Sequence, residues 1–196
     1  MQKIVMVLVI LMSLSACQST PSGTNHNNQS LAVIYTEIAE QLLVAGEIDA
    51  AKNQLDRVFE LNKNHAAAYR VLANIYQATQ DDAYKQQART LYKKAILLDE
   101  TDMQNYMDYG LYLVQLGEYD EALQQFAKPS KEIGYAARLM AIENMAFIEY
   151  KKLQTLATAE QLSRAKTALY RAVQAGSQNP ALLAAYQSVS NVGLLD

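Results

Sequence analysis

Side chains that ordinarily do chemistry are scarce in this sequence. In 196 residues there is one cysteine, Cys17, and there are two histidines, His26 and His65. A single thiol excludes an internal disulfide and any zinc site built on paired thiolates. His26 stands among asparagines in TNHNN, with no ligand-type neighbour, and is expected in solvent. His65 follows Asn64 at a junction between apolar-periodic segments, where a capping or solvated role is expected. There is no Ser–His–Asp spacing of a known kind, no Gly-rich phosphate loop and no His/Asp/Glu cluster at metal-ligand spacing. Glu143 is the one carboxylate to single out, and a lone exposed Glu more often pairs with a partner or with solvent than acts as an acid. The reading is therefore no catalytic residue, no metal, no cofactor and no small-molecule substrate.

Cys17 keeps one chemistry open. Lys3 supplies a positive start, and Ile4 to Met12 is an unbroken apolar run. A membrane-spanning helix needs about 20 apolar residues, and this run is near half of that, the length of a signal-peptide core. It ends in Leu14-Ser15-Ala16-Cys17, which resembles the lipobox of bacterial lipoproteins. That resemblance implies removal of residues 1–16 as a lipoprotein signal peptide, with Cys17 acylated as the first mature residue. Several acyl chains make a stable anchor where a single one is marginal. Gln18 in place of Asp implies the outer membrane, at its periplasmic face. Residues 17–30 then read as a lipidated Cys and a flexible tether, because Gln18 to Ser30 is polar and cannot bury enough surface to order itself.

The rest of the chain must fold around packing. It is 51% hydrophobic and 19% charged, enough apolar content for a core, and seven Gly with three Pro are too few for a turn-rich β-sandwich. A net charge of −3 argues against nucleic acid, which needs a dense basic face.

Residues 31–196 repeat. Tyr35, Ile38, Ala39 and Leu42 precede Ala51, Leu55 and Val58; Tyr69, Leu72, Ala73 and Tyr76 precede Ala88, Tyr92 and Ala95. Tyr106, Tyr109, Gly110 and Leu113 precede Ala122 and Phe126; Ile142, Met145 and Ala146 precede Ala165, Leu169 and Ala172. This is the tetratricopeptide pattern, one helical hairpin per unit. The expected fold class is all-α: a right-handed α-solenoid of about four hairpins (32–65, 66–102, 103–138 and 139–179) closed by a C-terminal capping helix over 180–190. Ala39, Ala73, Gly110 and Ala146 should sit where paired helices cross closely. Thr101 with Gln104 and Thr158 with Gln161 fit capping boxes, Asn179-Pro180 fits a helix start, and Gly46 and Gly117 fit turns. Pro129 should end or kink its helix and open an irregular excursion over 129–136.

Positions alternating with the packing stripe should line a concave groove for a protein partner. These are Val33, Thr36, Glu40 and Leu43, then Arg70, Asn74 and Gln77, then Met107, Leu111 and Val114, then Met140, Glu143, Phe147 and Tyr150. The early part is polar and the later part apolar, and Met107, Leu111, Val114, Phe147 and Tyr150 are expected to form an exposed apolar patch. A helix or strand with apolar anchors is the expected ligand.

Tyr109-Gly110, Gly117-Glu118-Tyr119, Glu121-Ala122, Phe126, Tyr135, Ala141 and Glu143-Asn144 resemble the PilF/PilW family of tetratricopeptide lipoproteins of type IV pilus biogenesis. Pro129, Met107-Asp108 and Ala146 depart from its pattern. The resemblance implies a non-enzymatic outer-membrane factor whose partner is the secretin, and which helps that pore localise, assemble or stay stable. A general periplasmic adaptor that docks cell-wall enzymes or another envelope complex, the Flp pilus system included, is the alternative.

Overall fold

The computed structural model describes residues 22–78 and 82–192. Among them the chain forms nine helices and no strand: α1 Ser22–Val44, α2 Ile48–Leu61, α3 Ala66–Gln77, α4 Asp82–Leu98, α5 Met103–Gln115, α6 Tyr119–Ala127, α7 Arg138–Thr155, α8 Ala159–Gln174 and α9 Pro180–Asn191. Consecutive helices pair as α1/α2, α3/α4, α5/α6 and α7/α8, and α9 closes the last pair. This is an α-solenoid of four hairpins with a final helix.

Local chemistry sets the boundaries. α1, α5 and α8 stop at glycines with positive φ, Gly46 (81°), Gly117 (75°) and Gly176 (93°). Each lets the next amide reach back five residues: Glu47 N donates to Leu42 O (2.8 Å), Glu118 N to Leu113 O (2.9 Å) and Ser177 N to Ala172 O (3.0 Å). Thr158 caps α8 by accepting from Gln161 N, and Asn179 caps α9 ahead of Pro180. The start of α5 differs from expectation. Asp99 takes the hydroxyl (2.7 Å) and amide (2.9 Å) of Thr101, so the cap falls to Asp102, which accepts from Gln104 N (2.9 Å). α6 ends two residues before Pro129, and turns carry the chain from there to Arg138.

The tether expected over 17–30 is helical from Ser22 onward. Extending an existing helix adds a hydrogen bond for every residue fixed, so a polar segment can ride on the packed segment behind it. Asn62 also reaches back from the end of α2 to Gln29 Oε1 (2.8 Å). Cys17, residues 1–16 and Gln18 lie outside the described residues, as do residues 79–81.

Ala39, Ala73 and Ala146 are fully buried at the helix crossings. Gly110 shows why they are small: a Cβ there would stand 2.6 Å from Phe126 Cε1 inside the core. Apolar residues from adjacent hairpins form three clusters along the array, centred on α1–α3, α3–α7 and α7–α9. The pattern of burial departs from a single stripe. α3 packs against α1, α2, α4 and α5 together, so Ala68, Arg70, Val71, Ala73 and Ile75 are all buried. Ile38, expected in the packing, is 38% exposed, because no described element covers that side of α1.

Candidate functional site

The groove-facing residues of the first helices build two different surfaces. On α1, α3 and α5 they form a polar network. Arg70 Nη1 donates to Asp108 Oδ2 (2.9 Å) and Nη2 to Glu40. Asp108 also accepts from Asn74 Nδ2 (3.0 Å) and Gln104 Nε2 (2.6 Å), and Tyr135 Oη donates to Gln104 Oε1 (2.7 Å). One line of hydrogen bonds thus runs Glu40–Arg70–Asp108–Gln104–Tyr135, joining three hairpins and the turns before α7. Burial works against the Arg70 charge, but Asp108 and Glu40 outweigh it and hold the guanidinium protonated above its ordinary range. The fully buried Tyr92 donates to Asn74 Oδ1 (2.6 Å), and burial pushes that phenol well up, so it stays a donor. Apart from Arg70 Nε, which is buried without a partner among the described residues, these polar groups satisfy one another, and none is placed against a nucleophile or a second base.

The fourth hairpin is unlike this. Met140 and Phe147 on α7 are 49% and 48% exposed. Between them Glu143 accepts from Ser177 Oγ, just before α9. Glu143, Asn144 and Phe147 face Asn179, Ala181 and Leu182 across a recess of about 350 Å³. The turns at 128–137 separate α5 from α7, so α7 lacks the close contact that each earlier first helix makes with the one before it.

The expected groove residues therefore divide. Val33, Met140 and Phe147 are exposed, as expected. Leu43, Leu111, Val114 and Tyr150 are half-buried against the core clusters, and Glu143 and Asn74 are half-buried and hydrogen-bonded. Three expectations fail. Met107 is 1% exposed, Thr36 is buried with its hydroxyl donating to Ala32 O, and Arg70 is a buried ion-pair hub rather than a lone groove cation. For Arg70 and Met107 the cause is the sandwiching of α3 and α5 between neighbours; Thr36 lies on α1 and bonds back within that helix. The five-residue apolar patch thus reduces to Phe147, with Met140 beside it. His65 stands at the cap position of α3, but its ring is buried, makes no capping bond and is held below its usual pKa by that burial. Among the described residues no three His, Cys, Asp or Glu side chains are grouped to hold a metal, and no helix is long and apolar enough to cross a membrane.

Sequence reasoning passed over Asp108, the acceptor at the centre of the network. A signal was available: it lies one hairpin beyond Arg70, at the adjoining repeat position.

The fold and this groove define a tetratricopeptide solenoid. No family model matches the chain. It is homologous to the type IV pilus assembly protein PilF of Pseudomonas aeruginosa, 22% identical over 147 residues, which is 73% of this chain and 57% of the relative. A little over half of that longer protein is thus represented. A protein of Haemophilus influenzae is 25% identical over 138 residues, covering 69% of this chain and 74% of its own. The solved structure of Pseudomonas aeruginosa PilF superposes with a TM-score of 0.70 at 20% identity, over 83% of this chain and 69% of the other. PilW, a widely conserved type IV pilus biogenesis factor, superposes at 0.62 with 18% identity, over 82% and 78%.

Proposed function

We propose that this chain is an outer-membrane lipoprotein that serves as a binding scaffold for localisation, assembly or stability of the type IV pilus secretin. The observation that carries the reading is the homology to PilF over 147 residues. The lipobox-like Leu14-Ser15-Ala16-Cys17 supports the anchor. On this reading α1 starts five residues after the acylated thiol, which keeps the solenoid near the periplasmic membrane face. The partner's apolar segment seats on Met140 and Phe147, with Glu143, Asn144 and Leu182 around it; side chains of that kind, adaptable and large in area, recur at binding hot spots.

The identity to PilF is 22%, and a second reading is a general periplasmic adaptor for cell-wall enzymes or a Flp-type assembly complex. Deleting the gene and assaying secretin multimers in outer-membrane fractions separates the two. Loss of multimers, restored by the wild-type chain and not by Cys17→Ser, supports the first. Unchanged multimers with displaced cell-wall enzymes support the second. Outer-membrane residence of the Cys17→Ser protein equal to wild type would remove the anchor from both.

A further inference from the structure

The hairpins share a device that the sequence pattern does not announce. Ala51, Ala88 and Ala122 are the buried small residues of the second helices in hairpins one to three. Six residues after each stands a cation: Arg57, Lys94 and Lys128. Each cation lies over the ring of the first signature tyrosine of its own hairpin. Arg57 is 5.5 Å from the Tyr35 centroid, Lys94 is 4.0 Å from Tyr69 and Lys128 is 4.7 Å from Tyr106. These are cation–π distances. Tyr69 and Tyr106 also donate to the carbonyls of Lys63 (2.7 Å) and Glu100 (3.3 Å), each six residues upstream.

Hairpin four keeps the cation and loses the ring. Ala165 is its buried alanine, Arg171 lies six residues on, and the tyrosine position is Ile142. Arg171 is exposed, and among the described residues no ring or carboxylate pairs with it. Where the ring would be, there is a recess of about 270 Å³ between α7 and α8, lined by Ile142, Met145, Thr167, Ala168 and Arg171, with Glu149, Ser163 and the Glu160-paired Arg164 completing its wall. The second hairpin has a trough at the corresponding positions, against Leu72, Thr90 and Leu91, but it stops short of Tyr69 and Lys94. In the fourth hairpin the trough runs on to their counterparts.

We propose that the recess between α7 and α8 is an aromatic-receptor site: it takes a Tyr or Phe side chain from a protein partner, with the ring on Ile142 and its face toward Arg171. The occupant is the group that fills the equivalent position three times within this chain. Ile142, Met145 and Ala168 supply apolar contact, the rim carries the Arg171 guanidinium that favours a π face over an aliphatic group (Arg164 being paired with Glu160), and the opening lies between α7 and α8, apart from the Met140–Phe147 surface. Nothing in this rests on which partner supplies the ring, so failure of the secretin reading leaves it intact.

The test is an NMR titration of the chain from Cys17 onward, which carries every described helix, with N-acetyl-tyrosinamide and, separately, N-acetyl-leucinamide. The tyrosine amide is expected to give saturable shifts at Met145, Thr167 and Arg171 and to bind several-fold tighter than the leucine amide. Arg171→Gln should weaken the tyrosine amide about two- to fivefold and leave the leucine amide unchanged. Ile142→Tyr, which supplies the missing ring from within, should abolish the shifts. Equal binding of the two amides, no saturable shift, or binding indifferent to Arg171→Gln would each overturn the proposal; should Ile142→Tyr not fold, the Arg171→Gln result decides.

Discussion

α5 and α7 are first helices of successive hairpins, yet the groove-facing residues of α5 are bound up inside the chain, whereas two of those on α7, Met140 and Phe147, face solvent. On α5, Met107 is in the core, Leu111 and Val114 lean on it, and Asp108 holds three hydrogen bonds. On α7, Met140 and Phe147 are half exposed, Glu143 accepts from Ser177, and Tyr150 leans on the last cluster. The same repeat positions thus have different fates, and the neighbour decides which. α5 has α3 beside it and Tyr135 over it; α7 is set apart by the turns after Pro129. A groove position in a helical array becomes a binding position only where the array does not close over it.

That contrast can be broken by substitution. The largest effect is expected from Asp108→Ala. It leaves the Arg70 guanidinium, whose side chain is 11% exposed, with Glu40 alone, and strips an acceptor from Asn74 and Gln104. Breaking a buried pair from one side costs about 3–5 kcal/mol, and the surviving Glu40 contact places this variant near about 3 kcal/mol. Urea unfolding measures it; a loss under about 1 kcal/mol would mean the network does not hold the hairpins together.

Gly110→Ala should come next. The new methyl meets the Phe126 ring, which overpacking puts at about 1–3 kcal/mol, offset in part by the better helix propensity of alanine. A lowered thermal midpoint with retained helicity is expected, and a variant as stable as wild type would contradict the close crossing.

Met140→Ser and Phe147→Ser should do least to stability, within about 0.5 kcal/mol each, since exposed substitutions seldom do more. A large loss at Phe147 would place it in the core and erase the contrast with α5.

A smaller effect belongs to pH. Burial holds the His65 pKa below its usual 6.5 in the folded chain. Below that pH the unfolded chain takes up a proton that the folded one refuses. The stability tied to His65 is therefore complete above about pH 6.5 and is lost as pH falls toward the folded value. Unfolding curves from pH 7 to 5 should show a decline that His65→Gln flattens; an unchanged slope would mean the ring is as free as in the unfolded chain.

Much of this was legible in the residues. The 34-residue recurrence of Tyr35 and Tyr69, the alanines at crossings, Asn179-Pro180 and the stop before Pro129 are local signals, and they locate the hairpins. What could not be read is whatever depends on packing between hairpins. Tyr106 was expected in the core and Met107 in the groove, but α5 is covered on several sides and Met107 is the more buried of the two. Arg70 looks isolated along the chain, because its carboxylates lie 30 residues before it and 38 after it. The helical run of Ser22–Ser30 follows from the packed helix behind it, which composition does not reveal.

The account turns on the claim that the fourth hairpin offers the partner-binding face while the earlier groove holds the array together. Isothermal titration of the purified type IV pilus secretin with the chain from Cys17 onward, wild type against Met140→Ser/Phe147→Ser, tests that most directly. The account predicts at least about a tenfold loss of affinity, the scale of losing one hot-spot contact, with an unchanged thermal midpoint. Unchanged affinity in the doubly substituted chain would contradict it.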